Sequence, residues 1–149
     1  APRAAHPVTR TAVPHAVARS KVKRLIRAEA KRAGVNVNLA LALAYQESGF
    51  QQDIVSSAGA IGAMQVMPET GRWVSVNIVG RPLDLANIDD NVVAGVRFLA
   101  VLLRMTGKPP AALAGYYQGL ASVERNGAYD DTKSYVRNVL SLQRRFARG

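Results

Sequence analysis

The run Leu39-Ala40-Leu41-Ala42-Leu43-Ala44-Tyr45 is almost wholly apolar and ends, after Gln46 alone, on the carboxylate of Glu47. As a helix it sets Ala40, Leu43 and Ala44 beside Glu47 and leaves the carboxylate on a buried face at the negative end of the helix macrodipole. Both circumstances disfavour ionisation, which describes a proton donor. The competing reading is a glutamate on a solvated helix face. It requires a polar face that this run lacks.

A chain of 149 residues that is 48% hydrophobic suits one domain with a real core and leaves no room for a second sizeable one. Aromatic residues are few, and alanine, valine and leucine are many. That balance points to closely packed helices and a mainly α fold. The absence of cysteine excludes a disulfide framework and a thiolate zinc site. His6 and His15 both fall in the N-terminal tail, so neither a histidine triad nor a histidine metal centre is expected, and no metal or cofactor is required.

The net charge of +10 calls for a partner that carries negative charge: nucleic acid, an anionic cell wall or an anionic membrane surface. Arg and Lys concentrate in residues 3 to 32 and again from Arg137 to Arg148, without interleaved aromatics for base stacking. This spread argues against specific nucleic-acid recognition. No apolar run reaches transmembrane length, and the N-terminus lacks the hydrophobic core of a secretion signal. Residues 1 to 19, with Pro2, Pro7, Pro14, several Arg and no acid, read as a basic linker, and residues 20 to 149 as the folded domain.

Within that domain Ser20 is a suitable N-cap for a first helix with Val22, Leu25, Ile26 and Ala33 on one stripe and Gly34 at its end. Asn36 or Asn38 can cap the apolar helix, which runs to Ser48 and stops before Gly49. Between Gly49 and Pro68 the small residues Ser56, Ser57, Gly59 and Gly62 break any helical period, while Ile61, Met64 and Val66 can alternate in a short extended ribbon that walls a site. Pro68 opens another short helix, with Trp73 and Val74 as its anchors in the core. Val92, Val96, Leu99, Leu102 and Leu103 mark a helix from Ile88 to Met105 that Gly107 terminates. Pro109 and Pro110 start the next one, through Leu113 to Gln118. A short turn containing Val123 then leads to Gly127, and a last helix from Asp130 or Asp131 carries Tyr135, Val136, Val139, Leu140 and Phe146 on one face.

Glu47-Ser48-Gly49-Phe50, followed by Ser56 through Thr70 with its Gly62-Ala63-Met64-Gln65 and Met67-Pro68-Glu69-Thr70 blocks, resembles the catalytic domain of the soluble lytic transglycosylases, relatives of goose-type lysozyme. The resemblance continues at Asn91 with Gly95, Phe98 and Leu99, at Tyr116-Tyr117-Gln118-Gly119, and at Thr132 with Tyr135 and Val136. It runs from about residue 21 to residue 142. The departures are Ala63 in place of Leu, Gln118 in place of Asn, and Asp131 in place of Glu. Gln118 matters most, because it lengthens a side chain that the resemblance points into a sugar groove.

The resemblance implies a lysozyme-like helical domain with a short β-ribbon beside the active-site groove. It implies cleavage of the β-1,4 bond between N-acetylmuramic acid and N-acetylglucosamine in peptidoglycan, without hydrolysis. A glycosidic oxygen leaves poorly unless protonated, which calls for a carboxylic acid still protonated near neutral pH. Glu47 is that acid. It then takes the proton of the muramic acid C6 hydroxyl as this attacks C1, giving a 1,6-anhydro sugar, so Asp53, the only nearby acid in the chain, is not needed and reads as a loop aspartate.

Ser48 and Ser56 can orient Glu47 or substrate, or cap backbone groups. Met64 and Gln65 line the groove in the functional reading, and Met64 is core in the other. By resemblance Tyr117 and Gln118 sit where N-acetyl groups bind, and the Tyr135 hydroxyl approaches the glutamate. Asn91 reads as a tie between helices and Trp73 as core. The partners implied are peptidoglycan glycan strands and associated anionic wall polymers, with the chain acting as a monomer outside the cytoplasm, whether at the wall of a bacterium or from a phage. Two rivals stay open: a muramidase that uses water, and a wall- or nucleic-acid-binding module that has lost catalysis.

Overall fold

A computed structural model describes residues 13–149; His6, Pro2 and Pro7 of the basic segment lie outside the described residues. Helix α1 spans Arg19–Ala33, α2 Val37–Ser48, α3 Pro68–Val74, α4 Ile88–Thr106, α5 Pro109–Gln118, α6 Leu120–Asn126 and α7 Asp130–Ala147. The fold is mainly α, as the composition requires. No helix among the described residues is long and apolar enough to cross a membrane.

Helix α2 is the centre of the molecule. Leu39 through Ala44 are all buried, and α1 and α7 pack around them. A helix apolar on every side gains its stability from that enclosure, and truncating Leu41 or Leu43 to Ala would cost about 2–5 kcal/mol. Its ends are fixed locally. The Asn36 side chain accepts from Leu39 N at 3.0 Å, and Gly49, left-handed at φ 63°, donates its N–H to Tyr45 O at 2.8 Å. The helix therefore stops one residue past Glu47.

Helix α1 starts without the serine cap: Ser20 lies inside it, and the Ala18 carbonyl accepts from Lys21 N and Val22 N instead. Its buried positions are Val22, Ile26, Glu29 and Ala30, while Leu25 and Ala33 are half-buried. Val17 already packs against the core, so the folded body begins upstream of Ser20. The expected turn at Val123 is instead the helix α6, set off from α5 by Gly119 at φ 93°.

The segment between α2 and α3 makes isolated antiparallel bridges, Val55 to Ile61 and Ile61 to Val66, and Met64 lies in the turn between the bridged residues. Two buried amides hold this turn. Asn91 of α4 accepts from Met64 N at 2.9 Å and donates to Ile61 O at 2.8 Å and Leu85 O at 2.9 Å. Gln52 accepts from Ala63 N at 2.9 Å and donates to Leu85 O at 3.1 Å. Asn91 is thus a tie, but between α4 and two non-helical segments and not between helices as the sequence suggested.

Helix α3 continues as one π-helical segment, Ser75–Val79, closed by Gly80. Val74 is fully buried, whereas Trp73 is 44% exposed. The expected Trp73 anchor is a misreading of the helix face: Gly71 and Val74, three residues apart, turn inward, and Trp73 points a third of a turn away.

Candidate active site

Glu47 is partly buried in the last turn of α2, and its surroundings come from α5 and α7. The Tyr135 hydroxyl donates to Glu47 Oε2 at 2.6 Å. No buried side-chain oxygen among the described residues lacks a partner, and Oε1 has no partner among them, so Oε1 is the oxygen that reaches solvent. Burial pushes the Glu47 carboxyl up to about 7, against a smaller downward pull from the Tyr135 bond. One oxygen is thus held, the other open, and the group titrates near neutrality.

Three tyrosines surround this carboxylate. Tyr135 is 5% exposed, and burial together with the Glu47 charge drives its hydroxyl well above the ordinary phenol range, so it stays a donor. Tyr117 stacks on it with ring centroids 4.5 Å apart and donates to Asp131 Oδ2 at 3.0 Å. Tyr116 points the other way along α5, donates to Met64 O at 2.7 Å, and is also pushed well up, by burial and then by the Glu47 charge. Tyr116 and Asp131 had not been singled out for a role. The signal was present in Tyr116-Tyr117, whose rings diverge by about 100° on a helix and so serve two walls at once.

The remaining sequence candidates divide. Gln65 lies beside the turn with its backbone left-handed at φ 50°, a conformation costing a non-glycine residue about 1 kcal/mol. Its Nε2 donates to Gly62 O and Ile54 O, while Oε1 has no partner among the described residues. Met64 does not line a groove: it is fully buried, because its side chain lies against Gly95 of α4, where a Cβ would come within 2.6 Å of Met64 Cγ. The exposed methionine there is Met67.

Ser48 and Ser56 make no bond to Glu47. The Ser48 hydroxyl donates to Ala63 O at 2.7 Å, which ties α2 to the Met64 turn, and Ser56 Oγ accepts from Ala60 N at 3.0 Å. The expectation that Gln118 points into a sugar groove is also corrected. Its Oε1 accepts from Thr132 Oγ1 at 2.7 Å and Tyr129 N at 3.0 Å, and its Nε2 donates to Ser122 Oγ at 2.9 Å and Gly127 O at 3.1 Å. The extra methylene lets one amide clamp α5, α6 and α7 together. Asp53 stands exposed after α2.

Residues 24–138 match the family model described as the transglycosylase SLT domain. The chain belongs to that family. Among relatives of this SLT domain, a membrane-bound lytic murein transglycosylase C from Glaesserella parasuis is 34% identical over 122 residues, covering 73% of this chain and 33% of the relative. Its counterpart in Haemophilus ducreyi is 34% identical over 132 residues, covering 78% and 36%. The chain thus spans about a third of the length of these proteins. Among solved structures, an inactive mutant of the lytic transglycosylase Slt from Pseudomonas aeruginosa superposes with a TM-score of 0.74 at 29% identity, covering 80% of this chain and 23% of that one. The 70 kDa soluble lytic transglycosylase of Escherichia coli superposes with a TM-score of 0.73 at 25% identity, covering 83% and 24%. The SLT fold of the chain is therefore lysozyme-like.

Proposed function

We propose that the chain is a peptidoglycan lytic transglycosylase that cleaves the bond between N-acetylmuramic acid and N-acetylglucosamine, with Glu47 as acid and then base. The observation that carries this reading is the division of the Glu47 carboxyl: Oε2 takes the Tyr135 hydroxyl at 2.6 Å, while Oε1 takes no hydrogen bond among the described residues. With its carboxyl pushed up to about 7, Glu47 carries a proton in a large fraction of molecules at neutral pH.

In the first step the Glu47 proton passes to the glycosidic oxygen as the C1–O bond breaks. The resulting carboxylate takes the proton of the C6 hydroxyl while O6 closes on C1, giving the 1,6-anhydro sugar and restoring the acid. Tyr135 acts as a positioning residue, because its hydrogen bond fixes the carboxyl rotamer and offsets charge on Oε2 during the anionic interval. The attacking hydroxyl belongs to the same ring as C1, which supplies proximity without a second carboxylate. Gln65 Oε1 is suited to accept an acetamido N–H, and the exposed Tyr117 ring offers a sugar a stacking surface. The folded body from Val17 onward serves as the catalytic domain. The names of the relatives support action outside the cytoplasm, on glycan strands that the basic surface helps to gather.

The test is a digest of purified peptidoglycan followed by mass analysis of the released fragments. Anhydro ends, one water lighter than reducing ends, are expected from the wild type and not from Glu47→Gln. Reducing ends throughout would assign the site to a muramidase that uses water, and release of nothing by either protein, with both binding peptidoglycan alike, would assign it to a binding module.

A further inference from the structure

On the face formed by α1, α4 and the π-helical segment lies a cavity of about 380 Å³ that shares no residue with the Glu47 cluster. Three arginines from three different elements line it: Arg32, Arg97 and Arg81. Beneath them Glu29, 3% exposed, is engaged at both oxygens. Arg32 Nη2 donates to Oε1 at 2.9 Å and Arg97 Nε donates to Oε2 at 2.6 Å. Arg81 donates through Nη1 to Asp90 Oδ1 at 3.0 Å and to Pro82 O at 3.2 Å.

A guanidinium carries five N–H donors, so each arginine retains several beyond those bonds. The buried carboxylate neutralises one positive charge and fixes the orientation of two guanidinium planes. The lining then holds three positive charges against the one negative charge of Glu29, and a surplus of one remains when Asp90 is counted. Ile78 and Val79 supply apolar walls. Oriented, part-desolvated guanidinium forks around a common void are the arrangement that takes an oxoanion. Three of them suit the several oxygens of a phosphate better than the two of a carboxylate.

We propose that this cavity is a phosphate-binding site, formed by Arg32, Arg81 and Arg97 over Glu29, that seats a phosphodiester of a polyol phosphate chain with its carbons against Ile78 and Val79. It would hold the domain on an anionic polymer independently of glycan cleavage at Glu47. The void carries no aromatic side chain for base stacking, which favours a polyol over a nucleic acid.

The experiment is a titration of the arginine Nε–H signals by NMR, with inorganic phosphate and with a glycerol phosphate oligomer at matched ionic strength. Saturable shifts at Arg32, Arg81 and Arg97 are expected. Arg81→Gln and Arg32→Gln should each weaken phosphate binding at least fivefold, while Lys21→Gln, which removes the same charge from an exposed site outside the cavity, should leave it unchanged. A tighter oligomer assigns the polymer as the ligand, and equal affinity per phosphate assigns the free ion. Linear, unsaturated shifts, or the same loss for Lys21→Gln as for Arg81→Gln, would overturn the site. An oligonucleotide of equal charge that binds more tightly than the polyol would overturn the choice of polymer. None of these outcomes depends on catalysis.

Discussion

The hydroxyl of Tyr135 reaches across from α7 to donate to Glu47 Oε2 at 2.6 Å, and among the described residues it is the one side-chain bond that steadies the carboxyl. The bond favours the charged form, so it pulls the Glu47 titration down from where burial alone would set it. Tyr135→Phe removes this pull and should move the alkaline limb of the pH–rate profile upward. Freed to rotate, the carboxyl should lose about tenfold to a hundredfold in kcat. An unchanged profile with normal folding would mean that Tyr135 is a packing residue alone.

The same carboxyl makes stability depend on pH with a definite sign. Its folded value of about 7 stands above its ordinary 4.5, so the folded chain binds the extra proton between those limits. The contribution is fully present below pH 4.5, declines as pH rises, and is lost above pH 7. The amount is on the order of 3 kcal/mol at about 1.4 kcal/mol per unit. Glu47→Gln cannot ionise, so it should be more stable than wild type at pH 8 by up to that amount and nearly equal to it at pH 4. Urea titrations of both proteins at the two pH values measure the difference. Equal pH dependence would contradict the burial argument.

Much of this site was legible because it rests on local rules. The all-apolar run before Glu47 could only be an enclosed helix, and Gly49 could only end it, so the acid's place in a half-buried last turn followed directly. Side-chain direction in irregular backbone was not legible. The sequence left Met64 open between groove lining and core, and what decides for core is that it fills the space opened by Gly95, a contact across many residues that no local period encodes. Gln118 was misread for a similar reason: its four partners lie on α6, α7 and the loop before α7, and the sequence reading had no helix at α6. Trp73 illustrates a third limit, since a short helix with one glycine on its buried face gives too few positions to fix its rotation.

Gly62 should tolerate no side chain. Its φ of 77° is left-handed, and a Cβ would lie 2.6 Å from Gln52 Oε1 and 2.8 Å from Asn91 Cγ, both of them buried ties of the Met64 turn. Neither amide can retreat without leaving backbone groups of Ala63, Met64 or Ile61 unpaired. Gly62→Ala should therefore cost about 3–5 kcal/mol, combining backbone strain with lost buried hydrogen bonds. Activity should fall with it, because Gln65 hangs from the same turn. Thermal unfolding checks the first effect. A loss under about 1 kcal/mol would show that the turn relaxes freely.

Gln118 separates a structural fastener from a sugar contact. Its amide makes four hydrogen bonds, to Thr132 and Tyr129 on one side and to Ser122 and Gly127 on the other. Gln118→Asn shortens the side chain by one methylene, too little to span both sets, so about two of the four bonds should be lost. At about 1 kcal/mol net for each, with discount for partial exposure, stability should drop by roughly 1–2 kcal/mol. KM for glycan strands should change less than threefold, since no atom of the amide is left facing substrate. A KM increase of tenfold or more without a loss of stability would return Gln118 to the groove and show that the clamp opens when sugar binds.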